Sequence, residues 1–225
     1  MLYLGGVDEA GRGPVLGPMV MSIVAITDKQ RQLLNKSGVK DSKVLTPLKR
    51  TKLARVIKDQ CAQVTIKVSP QEIDKALRDE ESSLNELEAK TTAKLISRIS
   101  KQVDCKEVML DLPSRNKEQY LSSIQKYLPH ALRDITLYAE FKADANHVEV
   151  AAASIIAKVA RDASIRSYEK RLNLHLGSGY PSDPYTVAAL EKHFDILKKE
   201  KLIRLEWKTV KALLEKRSQS TLGNF

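Results

Sequence analysis

The chain of 225 residues can bury a substantial core as one large domain or two small ones, and with 42% hydrophobic and 29% charged residues it reads as globular rather than disordered. It has only two cysteines, Cys61 and Cys105, in apolar stretches without ligand spacing, which excludes a disulfide scaffold or a Cys-based zinc module. The net charge of +10 is spread through the body and enriched toward the C-terminus (Lys198, Lys199, Lys201, Arg204, Lys208, Lys211, Lys216, Arg217), which points to a polyanion, nucleic acid ahead of a membrane; the bland alternative is a solvated Lys- and Glu-rich surface.

Leu2 to Val7 is short, apolar and glycine-spaced, the pattern of a buried strand. It delivers two acids, Asp8 and Glu9, to its end, followed by a glycine hinge carrying an arginine, Gly11-Arg12-Gly13. Val15 to Ile26 reads as a second strand, Pro47 to Lys58 as a helix and Val64 to Val68 as a third strand. Ser83 to Ser100 is an amphipathic helix. A fourth strand, Glu107 to Leu110, ends in Asp111; a helix from about Asn116 to Tyr127 follows. Ile135 to Phe141 is a fifth strand, closely followed by Asp144. Val148 to Leu172 is a long helix whose small residues (Ala151, Ala152, Ala153, Ser154, Ala157, Ala160) allow close approach to a sheet. Beyond Gly177-Ser178-Gly179-Tyr180-Pro181 the chain is helical and basic and ends in a polar decapeptide. The pattern predicts an α/β fold with a mixed sheet, hairpin-linked strands first and parallel crossovers later. No internal repeat or linker is visible.

Asp8, Glu9, Asp111 and Asp144 all follow predicted strand ends, so parallel neighbouring strands would bring them to one edge of the sheet, where open α/β sheets bind ligands. Four carboxylates need a counter-charge, and hard divalent cations, Mn²⁺ or Mg²⁺, supply it through oxygen. Two such ions about 3.5–4 Å apart suit phosphodiester chemistry. Adjacent strand residues point to opposite faces, so Asp8 and Glu9 can share an ion only if the strand breaks at Glu9; Ala10-Gly11 is the expected break. Asp104 rivals Asp111 but precedes its strand. Each acid taken singly reads more readily as a surface acid or a cap. The glycines around Arg12 let backbone N–H groups approach an anion.

Asp8 to Pro14 with Leu16-Gly17-Pro18, Asp41-Ser42-Lys43, the segment from Ala151 to Asp162, the segment from Gly177 to Pro184, and Trp207-Lys208-Thr209 resemble, in order, the motifs of type 2 ribonuclease H, ribonuclease HII. The resemblance implies a ribonuclease H-like fold, a mixed five-stranded sheet flanked by helices with a helical C-terminal extension. With no module ahead of the first motif, type HII rather than its sister HIII is expected. It also implies an endoribonuclease that degrades RNA in RNA–DNA hybrids and nicks 5′ of ribonucleotides embedded in duplex DNA, leaving 3′-hydroxyl and 5′-phosphate ends, in DNA replication and repair. Asp8, Glu9, Asp111 and Asp144 would be the catalytic metal ligands. Gly11, Arg12 and Gly13 would grip the phosphate and 2′-hydroxyl at the junction, and Tyr180 would lie against the sugar. The 2′-hydroxyl is what separates RNA from DNA, and a site built to hydrogen-bond it discriminates strongly.

Lys43, Lys158, Arg161 and Lys208 are candidate phosphate contacts; Lys158 and Arg161 are helical i,i+3 neighbours, with a structural ion-pair network as the alternative for Arg161 and Asp162. His147 reads as a cap or a support for Asp144, and Trp207 as a core anchor. Gln219, Leu222 and Phe225 have the spacing of a sliding-clamp box, which favours an archaeal-type protein, so residues 1–215 are expected to be the catalytic domain and 216–225 a flexible clamp-binding tail. The expected protein is a cytoplasmic monomer with no membrane span. The competing hypothesis is a non-catalytic nucleic-acid-binding module with structural acids. A nucleotide-binding enzyme is weaker, since neither G-x-G-x-x-G nor a P-loop lysine is present.

Overall fold

Five strands form one sheet in the order β3-β2-β1-β4-β5: β1 (Tyr3–Ala10), β2 (Met19–Ile26), β3 (Ala62–Val68), β4 (Cys105–Asp111) and β5 (Thr136–Glu140). The computed structural model describes residues 2–39, 45–113 and 116–222, with backbone alone for 220–222. β1 pairs antiparallel with β2 and parallel with β4, and β4 pairs parallel with β5. The expected order of hairpin first and crossovers later holds. Every residue of β2 is buried, which explains an apolar sequence broken only by Ser22, whose hydroxyl bonds that of Thr65 at 2.9 Å.

The helices are α1 (Asp28–Ser37), α2 (Pro47–Gln60), α3 (Pro70–Arg78), α4 (Leu84–Ile99), α5 (Lys117–Tyr127), α6 (Ala143–Asn146), α7 (Val148–Leu172), α8 (Pro184–Lys199) and α9 (Lys208–Leu222). The sequence reading misses α1 and α3, both short, although α3 carries an apolar face with Ile73 and Ala76 buried. Their signals lie at the caps: Thr27 with Gln30, and Ser69 with Glu72 behind Pro70, are complete capping boxes. The second strand begins at Met19 rather than Val15, since Gly17 adopts a left-handed φ of 81° that no strand continues through. α9 runs to Leu222, through residues expected to be a flexible tail.

The chain divides into two compact units, each assembled from three segments, which is why no linker is visible in the sequence. The first (Met1–Ala10, Val20–Lys67, Leu84–Ala160) holds the sheet. Its core packs Val24, Ile26, Leu34, Leu53 and Ile57 with Ala151, Ala152, Ala153, Ile155 and Ile156 of α7. Burying each such Leu or Ile stabilises the fold by about 1.5–3 kcal/mol. A Cβ on Gly6 of β1 would lie 2.2 Å from the Glu149 carbonyl carbon, so glycine is what lets α7 start against β1. Cys61 and Cys105 are free and buried, and burial pushes both thiols up to about 11.

The second unit (Gly11–Met19, Val68–Ser83, Arg161–Phe225) packs Val15, Leu16, Ile165, Leu176, Leu190, Phe194, Leu197, Ile203 and Val210. Leu16 and Ile203 form an isolated antiparallel bridge. Among the described residues no helix is long and apolar enough to cross a membrane.

Candidate active site

In the first unit, Asp8 is 5% exposed near the end of β1, Asp111 is the last residue of β4, and Asp144 is buried in the one-turn helix α6. Burial pushes the Asp8 carboxyl up to about 7, and the negative charges of Asp111 and Asp144 push in the same direction. The Ser154 hydroxyl and the Glu9 backbone N–H, which donates to Asp8 Oδ1 at 2.7 Å, work the other way. Two acids remote in sequence therefore act on Asp8. Ser154 was legible only as one small residue in an alanine stripe; its hydroxyl holds Asp8.

Asp111 Oδ1 accepts the Ala143 N–H at 2.9 Å, which ties the end of β4 to α6. Lys142, the residue before α6, has a left-handed φ of 57° and offers no side-chain cap, so Asp111 caps the helix instead. The rival Asp104 is exposed, pairs with Lys106 at 3.2 Å and lies before the start of β4, about 20 Å from Asp111 at the usual strand rise.

Glu9 differs from expectation in its backbone. β1 keeps its pairing through Glu9 and Ala10, opposite Met21 and Val20, so the expected break at Glu9 is not present. Residues 8 and 9 of a regular strand project to opposite faces. The antiparallel partner β2 holds this end regular, although parallel pairing with β4 stops at Val7. Glu9 reaches Asp8 here through its backbone N–H.

Among the described residues, no three His, Cys, Asp or Glu side chains stand close enough to hold a metal ion as they are. The donor set nonetheless has the right chemistry. Asp8, Asp111 and Asp144 offer carboxylate oxygens, and their mutual charge on a buried group is what a hard cation relieves. His147, expected as a cap or support, bonds Glu140 at 2.9 Å and Glu149 at 3.5 Å. Lys158 is half-buried on α7.

The second unit holds the turn. Gly11 has φ 81°, and a Cβ there would meet Arg161 Cδ and Nε at 2.4 Å. Gly13 is exposed, and a Cβ there would meet only Tyr180 Cε1 at 3.7 Å. Tyr180 is itself 39% exposed, and the Arg161 guanidinium covers its ring at 5.2 Å. The Gly177–Tyr180 loop is fastened by Arg161 Nη2 to the Ser178 carbonyl (2.7 Å), the Gly179 N–H to Thr186 Oγ1 (2.9 Å) and the Val15 N–H to the Gly179 carbonyl (2.8 Å). Gly11, Gly13 and Tyr180 are thus held around one arginine.

The residue that sequence reading passed over is Arg204. It stands in the sequence as one more cation in a basic run; it is fully buried, and it donates to the carbonyls of Gly11 (2.6 Å), Arg12 (2.8 Å) and Gly17 (3.1 Å). Trp207, expected as a core anchor, packs against that core and donates its indole N–H to the Gly13 carbonyl at 3.1 Å. Lys208 is exposed at the start of α9 and Gln219 is exposed near its end. Lys43, Phe225 and the side chain of Leu222 lie outside the described residues.

A sheet of order β3-β2-β1-β4-β5 whose β1-end acid feels the charges of acids at the end of β4 and just beyond β5 defines a ribonuclease H-like nuclease. Residues 5–210 match the family model described as Ribonuclease HII. The chain belongs to the ribonuclease HII family, an endoribonuclease family, and the non-catalytic alternative falls with that membership. It is 38% identical to the ribonuclease HII of Thermococcus sibiricus over 100% of this chain and 98% of that protein. The crystal structure of ribonuclease H2 from Pyrococcus horikoshii OT3 superposes with a TM-score of 0.81 at 36% identity, covering 95% of this chain and 98% of that one. Ribonuclease HII from Archaeoglobus fulgidus, solved as a complex with PCNA, superposes at 0.79 with 34% identity over 92% and 95% of the two chains.

Proposed function

We propose that the chain is a Mn²⁺- or Mg²⁺-dependent endoribonuclease that cuts the RNA strand of RNA–DNA hybrids and nicks 5′ of single ribonucleotides in duplex DNA, leaving 3′-hydroxyl and 5′-phosphate ends. The observation that carries this reading is the electrostatic grouping of Asp8, Asp111 and Asp144 in a protein of this family. Asp8, Glu9, Asp111 and Asp144 would hold the ions. When bound, the ions supply charge neutralisation for the attacking and leaving oxygens of the phosphodiester. Asp8 gives up its proton to serve as a ligand, while the Ser154 hydroxyl and Glu9 N–H orient its carboxylate.

Substrate selection falls to Gly11, Arg12, Gly13 and Tyr180. The open space at Gly13 admits a sugar-phosphate where a side chain would intrude, and the Tyr180 ring offers a flat apolar wall to a ribose. Lys43, Lys158 and Lys208 supply diffuse charge to the backbone, which makes affinity fall with salt. Ribonucleotide removal in DNA replication and repair is the cellular role.

The tail residues Gln219, Leu222 and Phe225 dock on a sliding clamp; the PCNA complex of the Archaeoglobus relative supports this reading. Incubation with duplex DNA holding one ribonucleotide, with and without Mg²⁺ or Mn²⁺, tests the activity. A nick 5′ of the ribonucleotide only with the ion is expected; ion-independent cutting or none refutes it. Deleting residues 219–225 should spare cleavage and abolish clamp binding, and unchanged clamp affinity overturns the tail assignment.

A further inference from the structure

Arg204 is the bulkiest fully buried side chain among the described residues. Burying a cation is costly unless an anion pairs with it. Yet among the described residues Arg204 has no carboxylate within salt-bridge distance. Asp74, the acid that acts on it through space, spends its own oxygens on the N–H groups of Leu205 (2.9 Å) and Glu206 (3.1 Å). Burial, and next the charge of Arg161, depress the Arg204 guanidinium to about 9. Arg161 is itself 5% exposed, sits against Gly11, and its buried Nε has no hydrogen-bond partner among the described residues. Two like charges are thus buried around one turn.

The partners of Arg204 explain the arrangement. It takes the carbonyls of Gly11 and Arg12, and Trp207, whose ring lies 5.0 Å from its guanidinium, takes that of Gly13. All three carbonyl oxygens of the turn are drawn to one clamp, which clears them from the side where an anion approaches. Folding gains little from a cation without a counter-ion, so the missing negative charge belongs to the ligand.

We propose that Arg204 is a positioning residue: with Trp207 it sets the Gly11-Arg12-Gly13 turn for the phosphate beside a ribonucleotide, and so determines discrimination against deoxyribonucleotides. The inference rests on the reading of that turn as the ribonucleotide-binding element. Arg204→Lys keeps the charge but cannot serve three carbonyls in a fixed fork.

The test measures affinity for a duplex with one ribonucleotide and for the all-deoxy duplex, in full-length protein carrying Asp8→Asn so that nothing is cut. With Arg204→Lys folded by thermal unfolding, the ratio of the two affinities should fall at least tenfold while the all-deoxy affinity stays within twofold. A ratio within twofold of the parent overturns the proposal. Arg12→Ala run in parallel separates the two claims. If it also keeps the ratio, the turn is not the ribonucleotide grip and both fall; if it loses the ratio while Arg204→Lys keeps it, only the role of Arg204 falls. Should Arg204→Lys fail to fold, NMR of the parent decides: the Arg204 Nε–H resonance shifts on adding the ribonucleotide duplex and not the all-deoxy one, and no such difference overturns the assignment.

Discussion

The Asp111 carboxylate accepts the Ala143 backbone N–H at 2.9 Å, so one strand-end acid fixes the helix that carries another, Asp144. A structural role and the proposed catalytic one meet in this side chain, and substitutions separate them. Asp111→Asn keeps an acceptor oxygen and should lose activity by about a hundredfold or more without loss of stability. Asp111→Ala should lose the same activity and also about 1 kcal/mol, the usual worth of a helix cap. Rates on a one-ribonucleotide duplex beside thermal unfolding curves check both.

The Asp8 carboxyl, raised to about 7 in the folded protein from the 3.8 of a solvated aspartate, makes the ion-free protein pH-sensitive. A raised carboxyl means the folded state binds the extra proton, so this stability is lost as pH rises from about 4 through about 7. In chelator, the wild type should lose stability over that window relative to Asp8→Asn, which has nothing to ionise there. At pH 8 Asp8→Asn should melt higher yet be inactive. Added Mn²⁺ should raise the wild-type melting temperature and leave that of Asp8→Asn nearly unchanged. Parallel pH–stability curves for the two proteins would contradict this.

Gly6 and Gly13 differ in what a methyl would meet. At Gly6 it meets the α7 backbone at 2.2 Å, and Gly6→Ala should cost about 3 kcal/mol or more, roughly 6–12 °C in melting temperature. At Gly13 it meets only the Tyr180 ring at 3.7 Å. Gly13→Ala should therefore melt within about 2 °C of wild type while KM for the ribonucleotide duplex rises about tenfold or more. Unfolding curves and steady-state kinetics on the same preparations decide it.

Asp183 holds the loop that carries Tyr180. The Ser178 N–H, donating at 2.6 Å, is the main cause of a carboxyl below the usual range, and the Tyr185 N–H adds to it at 3.0 Å. A lowered carboxyl stabilises the loop above the unfolded value and releases it as pH falls through the lower folded value. Asp183→Ala should raise KM more than it lowers kcat, and it should speed amide exchange at Ser178. Unchanged exchange there would refute the fastening role.

The elements with strong apolar patterns were legible: the five strands within a few residues, α4, and α7 at its observed bounds. The place of Asp111 at the end of β4 was legible, while Asp104 stands exposed before that strand and pairs with Lys106. The short helices α1 and α3 were missed, although each opens with a complete capping box and α3 also has an apolar face. At Glu9 the reading held in part: the strand does end at Ala10 before the left-handed Gly11, but pairing with β2 keeps Glu9 itself in regular strand. Arg204 was illegible for a different reason. It lies 193 residues from Gly11, and the other cations of the basic run around it are exposed or partly exposed, so nothing local marks it out.

What the amino-acid order determined by itself is local: alternation and apolar runs set the strands, and short motifs name the acids, the glycine turn and the family. Only tertiary structure decided which charges are buried together. Desolvation and charge interaction depend on distances across the fold, so the raised Asp8 and the buried Arg204, without a salt bridge among the described residues, exist only once remote segments have packed.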